Sequence, residues 1–192
     1  LNAEESHELD DSLMREKEER RQRQLKEARE ELISSELTYY HRLEILVDNF
    51  LVPMKEYVQL ELKRKNLTNT AEGRTNDERN GPTEESLKQV EFVSKHIVLI
   101  RKFTKQLVAE LTQITDLHSE SLGSVLKNFA PYFRFYSEYW AECEITQQKL
   151  KELKEEAWCR VFVAAVEMQP ICENLTLESY FMEPIQRVPR YR

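Results

Sequence analysis

Glycine is scarce in this sequence, with 3 residues among 192. It contains no G-x-x-x-x-G-K-S/T and no G-x-G-x-x-G stretch, so the chain is not expected to bind a nucleotide on a phosphate loop of its own. Cysteine is limited to Cys143, Cys159 and Cys172, an odd and widely spaced set. That excludes a disulfide scaffold and suits reduced thiols in a cytoplasmic protein. Long apolar runs are missing. The longest is Val161 to Val166, six residues, against the roughly 20 that a bilayer span needs. The first twelve residues, LNAEESHELDDS, are acidic and lack the apolar centre of a secretory signal. Positive charge is in the minority, with 28 Lys and Arg against 35 Asp and Glu and a net charge of −7. Such a surface disfavours phosphate backbones, so nucleic acid is not an expected partner. His7, His41, His96 and His118 share no ligand spacing, and neither G-x-S-x-G nor H-E-x-x-H occurs. No metal, cofactor or covalent catalysis is therefore expected.

What the sequence does have is helix-forming material. Charged residues make up 33% and the hydrophobic set 40%, a balance typical of helix-rich soluble chains. Residues 15–31, REKEERRQRQLKEAREE, combine both charge signs without Gly or Pro. Residues 1–27 read as a charged helical extension. The helical pattern runs on to Leu62, interrupted only by Pro53, and about 48 residues at about 1.5 Å each predict an elongated body. Residues 63–83 carry almost no apolar side chain and read as a polar insertion loop. Thr83 is the expected N-cap of the next helix, followed by acids that suit its dipole. In that helix Val90, Val93, Ile97, Ile100, Phe103, Leu107 and Leu111 repeat at three and four residues, the pattern of a core-facing helix. A third helix is expected from Ser121 through Pro131 to Leu150, its aromatics in the core. A fourth, from Trp158 to Met168, is apolar on most sides and expected to be buried. A last helix starts near Leu175. No stretch alternates with a period of two, so the fold class is all-α.

Two places resist explanation by core packing. On a wheel of about 100° per residue, Leu43 and Val47 lie within about 20° of Glu36, and Leu32, Tyr40 and Phe50 within about 40°. Glu36 thus sits mid-stripe, where a carboxylate is costly unless it is paired or meets water or a partner. Either it is buried against a core Arg or Tyr, or the stripe opens there and aims it at a ligand. In the last helix, Leu177, Phe181, Ile185 and Val188 fall within about 80° of arc and are expected to point inward. Gln186 and Arg190, four apart, stack on the opposite face. Pro184 and Pro189 each cost about 3 kcal/mol in a regular helix interior, so the helix is either kinked or starts near Pro184.

These same stretches resemble a known family. Glu31-Leu-Ile-Ser-Ser-Glu36-Leu-Thr-Tyr39-Tyr-His-Arg-Leu43, followed by Phe50-Leu-Val-Pro53-Met54, resembles the first signature of the Dbl homology (DH) domain. Phe129-Ala-Pro-Tyr-Phe-Arg-Phe-Tyr136-Ser-Glu-Tyr139 resembles the second. Leu175-Thr-Leu177-Glu-Ser-Tyr180-Phe-Met-Glu-Pro184-Ile-Gln186-Arg187-Val-Pro-Arg190-Tyr191 resembles the third, P-x-Q-R-x-x-[RK]-Y. The three stand in the family's order across residues 28–192.

The resemblance implies an elongated helical bundle of the DH type, incomplete at its C-terminal end because the family's fifth helix continues past R-Y. It implies a guanine-nucleotide exchange factor for a Rho-family small GTPase, with no covalent chemistry. The first and third signatures would lie side by side as the GTPase-binding face. Carried over by position, Glu36 contacts switch I, and Gln186 and Arg190 make polar contacts around switch II. Tyr39 and Arg187 belong to the same face, Arg187 more often in a structural role. A cytoplasmic protein recruited to membrane or cytoskeleton is expected, with membrane contact only through a PH domain following this one. Two alternatives stand beside this reading: a helical scaffold that keeps the fold without exchange activity, and a coiled-coil or membrane-bending module. The apolar arc of residues 32–51 is wider than a coiled-coil seam, which counts against the last.

Overall fold

The computed structural model describes residues 3–68, 81–114 and 119–191; the side chains of residues 3–11, 68 and 119–121 are left undescribed. Among the described residues eight α-helices follow one another: α1 (Ala3–Ile45), α2 (Val52–Thr68), α3 (Glu84–Gln113), α4 (Ser119–Phe129), α5 (Arg134–Ala141), α6 (Cys143–Glu155), α7 (Ala157–Glu167) and α8 (Leu177–Arg187). The described residues contain no strand, and no described helix is long and apolar enough to cross a membrane. The chain divides into two compact units, one of Leu1–Thr38 with Gln106–Pro131, the other of Tyr39–Lys105 with Tyr132–Arg192.

The strong helix formers of residues 15–31 lie in α1, and residues 12–24 are exposed, as their charge requires. Pro53 leaves its mark upstream. Its missing N–H cannot bond the carbonyl four residues back, and the helix widens to π geometry over Leu46–Leu51, the Val52 amide bonding the Val47 carbonyl five residues away. Leu46, Val47, Phe50 and Leu51 stay buried through this register change. Helix α2 then continues to Thr68, so the first six residues of the expected 63–83 loop are helical. Residues 69–80 of that loop lie outside the described residues.

Helix α3 follows its periodicity. All seven of its stripe residues, from Val90 to Leu111, are buried. Val98 and Leu99, off the stripe, are 45% and 41% exposed. Its start is a reciprocal cap. The Ser86 amide donates to Thr83 Oγ1 at 3.2 Å, and the Thr83 amide donates to Ser86 Oγ at 2.9 Å. Ser86 in turn donates to the Glu156 carboxylate at 2.9 Å, which also accepts from Trp158 Nε1 at 2.6 Å. The α3 start is thereby tied to the start of α7.

The expected third helix is broken twice. Pro131 falls in a 3₁₀ turn (Ala130–Phe133) because its ring and absent donor do not fit an α-helix interior. A second break sits at Glu142, whose φ of −101° and ψ of 6° end α5 before α6 begins. Tyr136 and Tyr139 are buried as expected, but Tyr132 and Trp140 are 45% and 59% exposed. Phe103 meets Phe133 and Tyr136 edge-on at 5.6 and 6.0 Å, Phe133 and Tyr136 are tilted at 5.9 Å, and Phe133 meets Tyr191 at 5.1 Å. Helix α7 also departs from expectation. Trp158, Cys159, Val163 and Val166 are buried, whereas Val161 is 72% and Met168 85% exposed. A short apolar run reads as buried on all sides, yet a packed helix buries only the stripe that meets its neighbours. Burial pushes the Cys159 thiol up to about 12, which keeps it protonated and inert.

Two expectations follow. Ile97→Ala should cost about 2–5 kcal/mol and Val98→Ala within about 0.5, measured by urea unfolding; equal losses would contradict the stripe. At the Glu142 break, Lys95 Nζ lies 2.6 Å and His96 Nε2 3.2 Å from the carboxylate. The Lys95 hydrogen bond, opposed by burial and helped by His96, holds that carboxyl below its ordinary 4.5. A lowered folded value means a stabilisation that is full above 4.5 and fades as pH falls through the folded value. Stability measured against pH should therefore fall less steeply below pH 4.5 in Glu142→Gln than in the parent chain.

Candidate functional site

Helix α8 opens with a side-chain cap: Thr176 Oγ1 accepts from the Ser179 amide at 3.3 Å. The Leu177 amide is taken by Glu167 Oε1 at 2.7 Å, so a second orphan donor is satisfied by a carboxylate that suits the helix dipole. The helix starts at Leu177 and carries Pro184 in its interior, then tightens to a 3₁₀ turn over Val188–Tyr191 around Pro189. Pro184 deprives the Tyr180 carbonyl of its helical donor. The neighbouring Phe181 carbonyl accepts the Tyr139 hydroxyl at 2.6 Å, and the Tyr180 hydroxyl donates to the Cys172 carbonyl at 3.0 Å. Burial pushes Tyr180 up to about 12 and raises Tyr139 further, so both remain donors at any physiological pH. These two hydroxyls hold α8 in place despite its proline.

The C-terminal part of α1 lies against α8. Arg187 is 2% exposed, with its guanidinium 5.6 Å from the Tyr39 ring centre and 4.8 Å from that of Tyr191. One turn further along α1, Arg42 Nη1 donates to Glu183 Oε1 at 2.5 Å. Phe50 of the π segment meets Tyr180 at 5.8 Å. The first and third signature stretches thus touch through a stacked cation, an ion pair and an aromatic pair.

The five sequence-derived site residues fare differently. Gln186 and Arg190 are exposed on the α8 side of this contact. Arg190 stands in the 3₁₀ turn and not in the α-helix, so their stacking crosses a change of helix type. Arg187 and Tyr39 are interior and build the contact from beneath. Glu36 is 0% exposed. The expectation that the apolar stripe opens there is corrected: the carboxylate is covered, as its mid-stripe position would require of a partnered interior acid. The inward face of α8 is corrected too. Leu177 and Phe181 are buried, but Val188 is 38% exposed, and Tyr180, Pro184 and Arg187 take the remaining interior positions. The 3₁₀ turn rotates Val188 away from the arc that a regular helix would give it. Sequence reading missed the Arg42–Glu183 pair. Each member shares a face with the stacked contact, Arg42 three residues after Tyr39 and Glu183 four before Arg187, but nothing local joins the two segments.

With this arrangement in view, comparison with known proteins is informative. A family model described as the RhoGEF domain matches residues 28–192. The chain belongs to the RhoGEF domain family. It is 32% identical over 104 residues, 52% of its length, to FYVE, RhoGEF and PH domain-containing protein 3 of Homo sapiens, and covers 14% of that protein. It is also 32% identical over 71 residues to protein 4 of the same name series from Homo sapiens, covering 36% of this chain and 9% of that protein. The corresponding protein 6 of Mus musculus is 30% identical over 94 residues, 47% of this chain and 7% of its own length. The RhoGEF domain described here therefore spans a small part of the length of the curated relatives it matches. Its all-α build agrees with the DH fold expected from the three signatures.

Within this RhoGEF domain the Arg42–Glu183 pair is partly buried, with side chains 30% and 13% exposed. A double-mutant cycle on Arg42→Ala and Glu183→Ala should return a coupling of about 1 kcal/mol, above the median for open surface pairs. Additive losses would show that the two charges do not act together.

Proposed function

We propose that this domain is a guanine-nucleotide exchange factor for a Rho-family small GTPase. Membership of the RhoGEF domain family supports that role. The contact between α1 and α8, with Gln186 and Arg190 exposed beside it, carries the choice of face. In this reading the GTPase docks with its switch II against Gln186 and Arg190. Arg187 and Tyr39 act as positioning residues that keep the α8 backbone where those two side chains can reach out. The first signature assigns Glu36 to the switch I contact, although its carboxylate is buried in the domain by itself. The buried area of such a face should be at least about 800 Å² per partner.

No bond of the substrate is made or broken. The domain binds best to the GTPase with its nucleotide site empty and distorted. By linkage, the factor by which nucleotide weakens the complex equals the factor by which the domain weakens nucleotide binding. Displacing switch I and remodelling switch II would open the pocket for GDP to leave.

Release of a fluorescent GDP analogue from Rho-family GTPases tests this reading. Gln186→Ala and Arg190→Ala should each slow release by about tenfold, equivalent to about 1.4 kcal/mol of lost transition-state contact. Both residues are exposed, so the thermal midpoint should hold. Release as fast as with the parent domain in both variants would overturn the face, and GTPase binding without acceleration would favour a scaffold.

A further inference from the structure

A cleft of about 600 Å³ lies between α6 and α8, away from the α1 contact just described. The two helices are bridged at both of its ends. Gln147 Nε2 reaches Met182 Sδ at 3.4 Å at one end, and Lys154 pairs with Glu178 at the other. Between the bridges, seven residues of α6 span about 10 Å. The walls are apolar, built of Leu150, Phe181 and the half-buried thioether of Met182. A methionine there adapts its shape to what fills the space.

Three features give this cleft a chemical preference. Thr146 lines the cleft, where its hydroxyl can donate to or accept from a ligand. Lys151 and Arg160 stand exposed at the mouth, and neither forms an ion pair among the described residues. Lys154 and Glu178 neutralise one another, which leaves Glu155 as the acid facing those two cations. The mouth is net positive over an apolar floor, in a domain whose overall charge is negative.

We infer that this cleft binds a compact amphipathic anion, an apolar body with a single carboxylate-type head, its body on Leu150, Phe181 and Met182 and its head toward Lys151 and Arg160. Size agrees, since pockets for small organic ligands run from about 300 to 1,000 Å³ with mainly apolar walls and a few placed polar groups. Met182 precedes Gln186 by one turn on α8, but the inference does not depend on the exchange reading.

Octanoate tests it, with 1-octanol as the uncharged probe of equal chain and octylamine as the cation. All three are titrated into the full chain and followed by NMR of amide and methyl groups. Octanoate should shift Thr146, Leu150, Phe181 and Met182 together, and should bind more tightly than octanol, with octylamine weakest. The double reversal Lys151→Glu/Arg160→Glu should weaken octanoate by about tenfold and leave octanol unchanged. Met182→Trp should fill the cleft and abolish binding of both, with circular dichroism verifying the fold. Shifts scattered over the helices, or binding untouched by Met182→Trp, would overturn the site. Equal affinity for octanoate and octanol, unaffected by charge reversal, would overturn the preference for an anion.

Discussion

The arrangement around α8 depends on one buried cation. Arg187 places a permanent charge in the interior, where it is tolerated because two aromatic faces, Tyr39 and Tyr191, stand within 6 Å of it. Those rings come from different parts of the chain, α1 and the 3₁₀ turn after α8. The stack therefore joins the first signature stretch to the third and orients the last turn on which Arg190 stands. A lysine could not serve in the same way. Its point charge is more strongly hydrated and has no plane to lay against a ring.

Proline shapes the rest. At three positions a missing amide and a bulky ring disturb the helix, at two of them changing its type, and each time the core accommodates it. Before Pro53 the helix widens to π geometry while Leu46, Val47, Phe50 and Leu51 remain buried. At Pro131 it narrows to a 3₁₀ turn that re-aims the aromatic run, so that Phe133 meets Tyr191 while Tyr132 faces outward. At Pro184 the α-helix continues, its neighbouring carbonyl met by the Tyr139 hydroxyl. Irregular backbone persists where tertiary contacts replace what the helix loses. Two of these sites, around Pro53 and Pro184, flank the contact between α1 and α8.

The candidate site shows how far a wheel can be trusted. Gln186 and Arg190 are polar residues opposite an apolar arc, and they are exposed. Glu36 sits in the middle of an apolar arc, and it is covered. In both cases the surrounding pattern decided exposure better than the chemistry of the single side chain. Where the helix type changes, the wheel fails. Val188 should face inward at 100° per residue, but it lies in a 3₁₀ turn and faces out. Arg42 and Glu183 went unseen because a pair between remote segments has no periodicity of its own.

By itself the amino-acid sequence determined that the fold class is all-α, where α3 begins, which of its residues form the core stripe, and to which family the domain belongs. These are local or near-local properties, set by propensity, capping and a period close to four residues. Tertiary structure alone decided which side of α7 is bare, where the long aromatic helix breaks, that Arg187 and Tyr39 are interior, and that α6 and α8 stand apart around a cleft. Each of those depends on what a distant segment supplies, a ring, a carboxylate or a hydroxyl, and no local pattern records the arrival of a neighbour from more than a hundred residues away, as Glu183 arrives at Arg42.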